Sequence, residues 1–202
     1  MKRNKISFLF LPLFFLLLAA ETPPPAPPPA TTADLTLTLH SPYHAPITAK
    51  GRFYRSGLSI RYEPEGTEEF DLYDLTRREE IRLFPRDKIY FQIRLGPARL
   101  IKAIQEGWLP PPAPYKETRI LLNEGSLKGR DARLYLVLLE EKEKRWHSLR
   151  WVTADASEIP LQVIYSASDY ETVIAEYSAL QTEPVDPDRF KPPSDFLSVN
   201  PY

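Results

Sequence analysis

Three acidic pairs, two histidines four residues apart and very little glycine are the features of this sequence that bear on catalysis. Paired carboxylates can divide general-acid and general-base work when they share a cleft, and the pairs present are Glu68-Glu69, Glu79-Glu80 and Glu140-Glu141. All three stand at predicted turns or beside arginines, where solvated charge is expected. His40 and His44 have the spacing that joins two metal ligands on one helix face, but Pro42 and Pro46 argue against a helix there. They read as loop residues, and no metal is expected. No Gly-x-Ser-x-Gly elbow, His-Glu-x-x-His pair or phosphate-cradling glycine loop occurs, and seven glycines leave little material for one. The chain has no cysteine, which removes thiolate nucleophiles, thiolate metal sites, disulfides and acylation of a cysteine after a signal. The expectation is a protein that is not an enzyme and carries no cofactor.

The elements that would position a site are mostly strands. Ile47–Tyr54, Leu58–Glu63, Glu69–Tyr73, Glu79–Phe84 and Lys88–Leu95 read as short strands, and in Leu58–Tyr62, Ile81–Leu83 and Ile89–Leu95 apolar side chains recur at every second position, the pattern of a sheet with one dry and one wet face. Ser56-Gly57, Pro64-Glu-Gly66, Asp74–Arg78 and Pro85-Arg-Asp87 supply hairpin turns. Asp34–Leu39 alternates leucine with threonine and predicts a strand that His40–Pro46 breaks. Pro97–Glu106 predicts the one helix: proline opens it, Gly107 closes it, and Leu100, Ile101, Ile104 and Trp108 form a stripe. Arg99, Lys102, Gln105 and Glu106 are expected to face away from the sheet. After the proline cluster Leu109–Pro114, strands are predicted at Thr118–Asn123, Arg133–Leu139, Trp146–Thr153, Leu161–Ser166 and Glu171–Leu180, with a turn at Glu124-Gly-Ser. Val173, Ala175 and Tyr177 share a face of the last. Arg133–Leu139 is apolar on both faces and reads as a central strand. Pro184–Tyr202 reads as an irregular strap.

The N-terminus is a separate matter. Lys2, Arg3 and Lys5 precede the apolar run Ile6–Leu18 and the small residues Ala19-Ala20, the form of a secretory signal peptide. The run is short for a span of about 20 residues, so residues 1–20 are read as a signal peptide or an N-terminal anchor. Removing them takes the net charge from −1 to −4. Glu21–Ala33 is a proline-rich linker, and residues 34–202 form one domain. Neither charge suits a nucleic-acid binder, which carries a basic excess.

The order of these pieces resembles the outer-membrane lipoprotein carrier (LolA-like) superfamily. Lys50–Tyr62 looks like its shared hairpin, in which a lysine-glycine strand returns as an arginine-containing one. Phe70–Tyr90 is similar to its succession of strand, acidic turn, strand, proline turn and tyrosine. Leu127–Val137, Leu149–Leu161 with its tryptophan strand before Pro-Leu, and Asp188-Arg-Phe190 resemble the second half and close. The resemblance implies a mainly β fold: an incomplete β-barrel, a curved antiparallel sheet of about eleven strands with one amphipathic helix across the concave face. It also implies a hollow that accepts lipid or lipoprotein acyl chains; the N-terminal segment separately predicts a periplasmic protein, held near the membrane through residues 6–20 if the signal stays.

On that reading the cavity wall is Leu58, Ile60, Tyr62, Phe70, Leu72, Ile81, Leu83, Phe91 and Ile93, and the lid is Leu100, Ile101, Ile104 and Trp108. The same residues would otherwise be an ordinary core under the helix. The alternative is an envelope interaction module with a filled core, presenting Tyr54, Tyr73 and Tyr90 to a protein partner.

Overall fold

A computed structural model describes residues 30–107, 111–155, 157–168 and 170–199. Its strands are β1 (Thr31–Ser41), β2 (His44–Ser56), β3 (Ser59–Pro64), β4 (Phe70–Asp74), β5 (Glu79–Phe84), β6 (Ile89–Arg94), β7 (Lys116–Leu127), β8 (Arg130–Glu141), β9 (Lys144–Thr153), β10 (Pro160–Ser166), β11 (Thr172–Gln181) and β12 (Leu197–Val199). The helix α1 (Pro97–Gly107) lies between β6 and β7. All twelve strands form one open sheet in the order β12-β6-β5-β4-β3-β2-β1-β11-β10-β9-β8-β7. Two meanders, β1–β6 and β7–β11, meet where β1 pairs with β11. The predicted signal segment and most of the linker lie outside the described residues, as does Trp108. No described helix is long and apolar enough to cross a membrane.

The short-range patterning set most boundaries to within a few residues, and the departures have identifiable causes. Thr31, Thr32 and Ala33, assigned to the linker by composition, belong to β1 and pair with β2, and Ala33 is fully buried. His40–Pro46 does not break the chain into a loop. Ser41 pairs with His44 across Pro42-Tyr43, and the register shift beside it lets Pro46 sit in a strand with no ladder partner. The turn predicted at Glu124-Gly-Ser is instead ladder, with Gly125 opposite Ala132. The reversal falls at Lys128-Gly129, where both residues have positive φ, 53° and 78°, as a two-residue hairpin of the right twist requires. β8 is second from the β7 edge rather than central; Val137 and Leu139 are buried, while Leu134, Leu136 and Leu138 on its other face are half-exposed. The C-terminal strap contains a 3-10 turn, Pro187–Phe190, and then the parallel strand β12 beside β6.

The core gathers on the face that carries α1. Leu100, Ile101, Ala103 and Ile104 meet Leu35, Phe53, Ile60, Leu139, Val163, Ala175 and Tyr177 from both meanders. Antiparallel partners share a face, so the register assigns every strand residue to one side. Leu35, Leu37 and Leu39 of β1 sit opposite Gly51, Ala49 and Ile47 of β2 and opposite Tyr177, Ala175 and Val173 of β11. The opposite face is covered in part by the strap. Arg61 donates to the Arg189 carbonyl at 3.0 Å, and the Arg189 guanidinium lies 4.8 Å from the Tyr54 ring centroid.

Candidate ligand-binding site

The register divides the nine predicted wall residues between two faces. Leu58, Ile60 and Tyr62 belong to the helix side, in or against its core. Phe91 and Ile93 share that side by pairing with Arg82 and Glu80, near the far edge of the sheet. Phe70, Leu72, Ile81 and Leu83 pair among themselves and face the other way. The physical reason is parity. In β4 and β5 the residues turned toward the helix are Asp71, Tyr73, Glu80 and Arg82, and a one-residue offset inverts every side chain of a strand. Leu72 and Ile81 instead line a groove with Pro187 and Phe190 of the strap. Tyr73, read as an outward aromatic, packs against the core, and Tyr54 lies beneath Arg189.

Some of the polar residues turned inward pair with one another. Glu80 is only 2% exposed, so one of the acidic pairs is not a solvated turn. Its carboxylate accepts from Arg82 at 3.2 Å and from Arg99 at 2.7 Å, and Arg82 also donates to Asp71 at 2.8 Å. This chain of charge ties the N-terminal end of α1 to β5. At the C-terminal end, the Tyr165 hydroxyl donates to the Glu106 carboxylate and the Tyr177 hydroxyl donates to the Glu106 carbonyl. The helix therefore spans the hollow, pinned to β5 in one meander and to β10 and β11 in the other. Glu106 and Gln105 do not face away as the helical wheel suggests: Gln105 is buried, with its amide 3.4 Å from the His147 carbonyl.

Between this helix and the β1–β11 seam lies a cavity of about 520 Å³, open to solvent. Leu37 and Leu39 of β1 and Ile47 and Ala49 of β2 form one wall; Tyr165 and Val173 of β10 and β11, with Trp146 of β9, form another. Ala98 and Ile101 close the helix side, and Arg99, Lys102, Gln105 and Glu106 add a polar strip along it. A second hollow of about 90 Å³ lies on the other flank, where Phe53, Ile60 and Tyr62 face Ala103; Leu37, Lys102 and Glu106 border both spaces. Of the predicted lid residues, Ile101 lines the larger cavity, whereas Leu100 and Ile104 are core at 2% and 0% exposure.

Burial raises the Glu106 carboxyl above the usual carboxylate range; Lys102, with its amine 3.9 Å away, and the Tyr165 hydroxyl oppose that rise. Burial likewise raises the Tyr165 and Tyr177 hydroxyls. Deeper under the sheet, Arg55 is buried and its guanidinium is lowered to about 10, chiefly by desolvation. Buried Arg150 lies 3.5 Å from Glu117, and desolvation lowers it too. An apolar trough with one polar strip can hold a chain of methylenes and orient a polar end.

The residues lining the larger cavity, Leu37, Leu39, Ile47, Ala49, Trp146, Tyr165 and Val173, are not among the wall residues expected from sequence. Their signal was there in the alternating leucines of β1 and in the shared face of Val173, Ala175 and Tyr177. What was missing was their adjacency.

No protein-family model matches the chain, and no curated protein matches it by sequence. Solved structures do match by shape. A LolA superfamily protein from Nitrosomonas europaea superposes with a TM-score of 0.50 at 11% identity, covering 82% of this chain and 91% of its own. A DUF1329 family protein from Desulfovibrio piger gives 0.45 at 11% identity over 81% and 90% of the two chains. The lipoprotein LppX of Mycobacterium tuberculosis gives 0.41 at 8% identity over 77% and 88%. The first of these carries the fold: the chain has the LolA-like open half-barrel with a helix across its concave face.

Proposed function

We propose that this chain is an exported, non-catalytic binding protein that holds an apolar ligand, a lipid or a lipoprotein acyl chain, in the cell envelope. The observation that carries this reading is the cavity of about 520 Å³ between α1 and the β1–β11 seam, within the roughly 300–1,000 Å³ range of small-molecule sites. Its walls are apolar side chains left uncovered by the fold: Ile47 is 57% exposed although it faces inward. Each methylene moved from water into such a trough contributes about 0.8 kcal/mol, so a chain of about ten would bring roughly 8 kcal/mol before the cost of ordering it. The cavity is open beside α1, so entry does not require the Arg99–Glu80 and Tyr165–Glu106 contacts to part. The periplasm is the compartment that the signal-like N-terminus and the fold together favour, with residues 6–20 keeping the domain close to the membrane where they are retained.

The test is direct. The protein purified from its native envelope is extracted with organic solvent, and the extract is analysed by mass spectrometry. A stoichiometric lipid supports the reading; a protein that arrives empty and takes up no fluorescent fatty acid overturns it.

A further inference from the structure

We infer that the end of the half-barrel formed by the β1–β2 and β10–β11 turns docks on a phospholipid surface and sets the cavity mouth against it. The inference rests on the cavity being an apolar-ligand site and adds where that ligand enters. His40 pairs with Thr172, so the two turns stand side by side. Each carries one exposed tyrosine: Tyr43 is 75% and Tyr170 67% exposed, with ring centroids 6.1 Å apart and planes at 71°. A lone surface aromatic needs no explanation. This pair is different in its position, because the segments bearing it also supply Leu39, Ile47, Ala167 and Glu171 to the cavity.

The hairpin is shaped for insertion rather than packing. The first seven residues of β2 are all exposed, so this end stands clear of the core. Tyrosine has an apolar ring and a polar tip, which suits the headgroup layer of a bilayer. Residues 40–50 contain no carboxylate, and Lys102, which lines the cavity, is 57% exposed and can meet headgroup phosphates; in sequence the β10–β11 turn carries Asp169 and Glu171. The facing carboxylate of Glu171 accepts from the Ser168 hydroxyl at 3.2 Å. A chain leaving a bilayer through a docked mouth passes into Leu39, Ile47 and Val173 without crossing water, so removal of hydration from its methylenes is never reversed on the way.

The chain has no cysteine, so Tyr43→Cys, Tyr170→Cys and Thr76→Cys each give the full-length protein one attachment point for an environment-sensitive dye. Thr76 lies in the β4–β5 turn at the opposite end of the sheet. Vesicles of phosphatidylcholine with one-fifth phosphatidylglycerol should shift the dye to the blue at positions 43 and 170, with quenching by a lipid-borne quencher, and leave position 76 unchanged. A Tyr43→Ser/Tyr170→Ser double variant should take a fluorescent fatty acid from those vesicles at least fivefold more slowly, yet bind it in solution within twofold of the unaltered protein. Equal dye responses at all three positions, or an unchanged transfer rate, overturn the docking. If the dyes insert but no fatty acid binds in solution, docking stands and the apolar-ligand reading fails; binding without insertion is the reverse.

Discussion

Tyr165 of β10 donates its hydroxyl to the Glu106 carboxylate in the last turn of α1, holding a half-buried acid against the seam of the sheet. Tyr177 of the adjacent strand binds the carbonyl of the same residue. Together with Arg99–Glu80 at the other end, these contacts make the helix a strut between two meanders. Removing one partner of a buried hydrogen bond leaves the other desolvated and unpaired, at a cost of about 1–3 kcal/mol. Tyr165→Phe should therefore lower the unfolding free energy by that amount, read as a lower urea midpoint with an unchanged m-value.

The pH dependence of Glu106 has a definite sign. Burial raises its folded pKa above the unfolded value of about 4.3, so between those two values the folded state binds more protons than the unfolded one. The relative stability this group gives is full below the unfolded pKa and is lost as pH rises through the folded pKa. Glu106→Gln should accordingly be more stable than the unaltered protein at high pH, with the difference shrinking as the pH falls toward about 4. Urea midpoints for both proteins across a pH series measure that difference directly.

Filling the larger cavity should separate binding from stability. Val173→Trp and Leu39→Trp project a larger side chain into space already open beside α1, so both should abolish uptake of a fluorescent fatty acid while shifting the thermal midpoint by only a few degrees. Ile81→Ala, on the opposite face of the sheet, should leave fatty-acid affinity unchanged. Titration by fluorescence for the three variants distinguishes the wall assigned by register from the wall assigned by sequence.

Leu100 and Ile104 are core side chains, at 2% and 0% exposure. Truncation at either position loses transfer energy and leaves a cavity, so Leu100→Ala and Ile104→Ala should each cost about 2–5 kcal/mol. Chemical denaturation reads the loss, and a change that spares stability would mean the helix does not seat as described.

Gly51 of β2 sits tightly against β3. A Cβ there would lie against the Glu63 carbonyl, 2.7 Å from the Tyr62 ring and 2.9 Å from the Pro64 Cα. Two of those neighbours are backbone and cannot swing aside. Gly51→Ala should destabilise the fold by about 1–3 kcal/mol through overpacking, again visible as a lower denaturation midpoint.

Local chemistry was enough to read the strands Leu58–Glu63 and Glu79–Phe84, the helix from Pro97 and the mainly β class, because alternation, hairpin residues and helix caps act within a few residues. Which half of the sheet walls the cavity was decided only by tertiary structure. The seam joins β1 to β11, and Thr32 bonds Gln181 across 149 residues of chain; no local pattern records a contact of that range. Which face of β4 and β5 turns inward was also decided there. Alternation gives a strand two faces, and Phe70, Leu72, Ile81 and Leu83 read as the dry one. The strap, through Pro187 and Phe190, lines a groove with Leu72 and Ile81, while Arg99 and Arg82 supplied the charges that let Glu80 be buried beneath the helix.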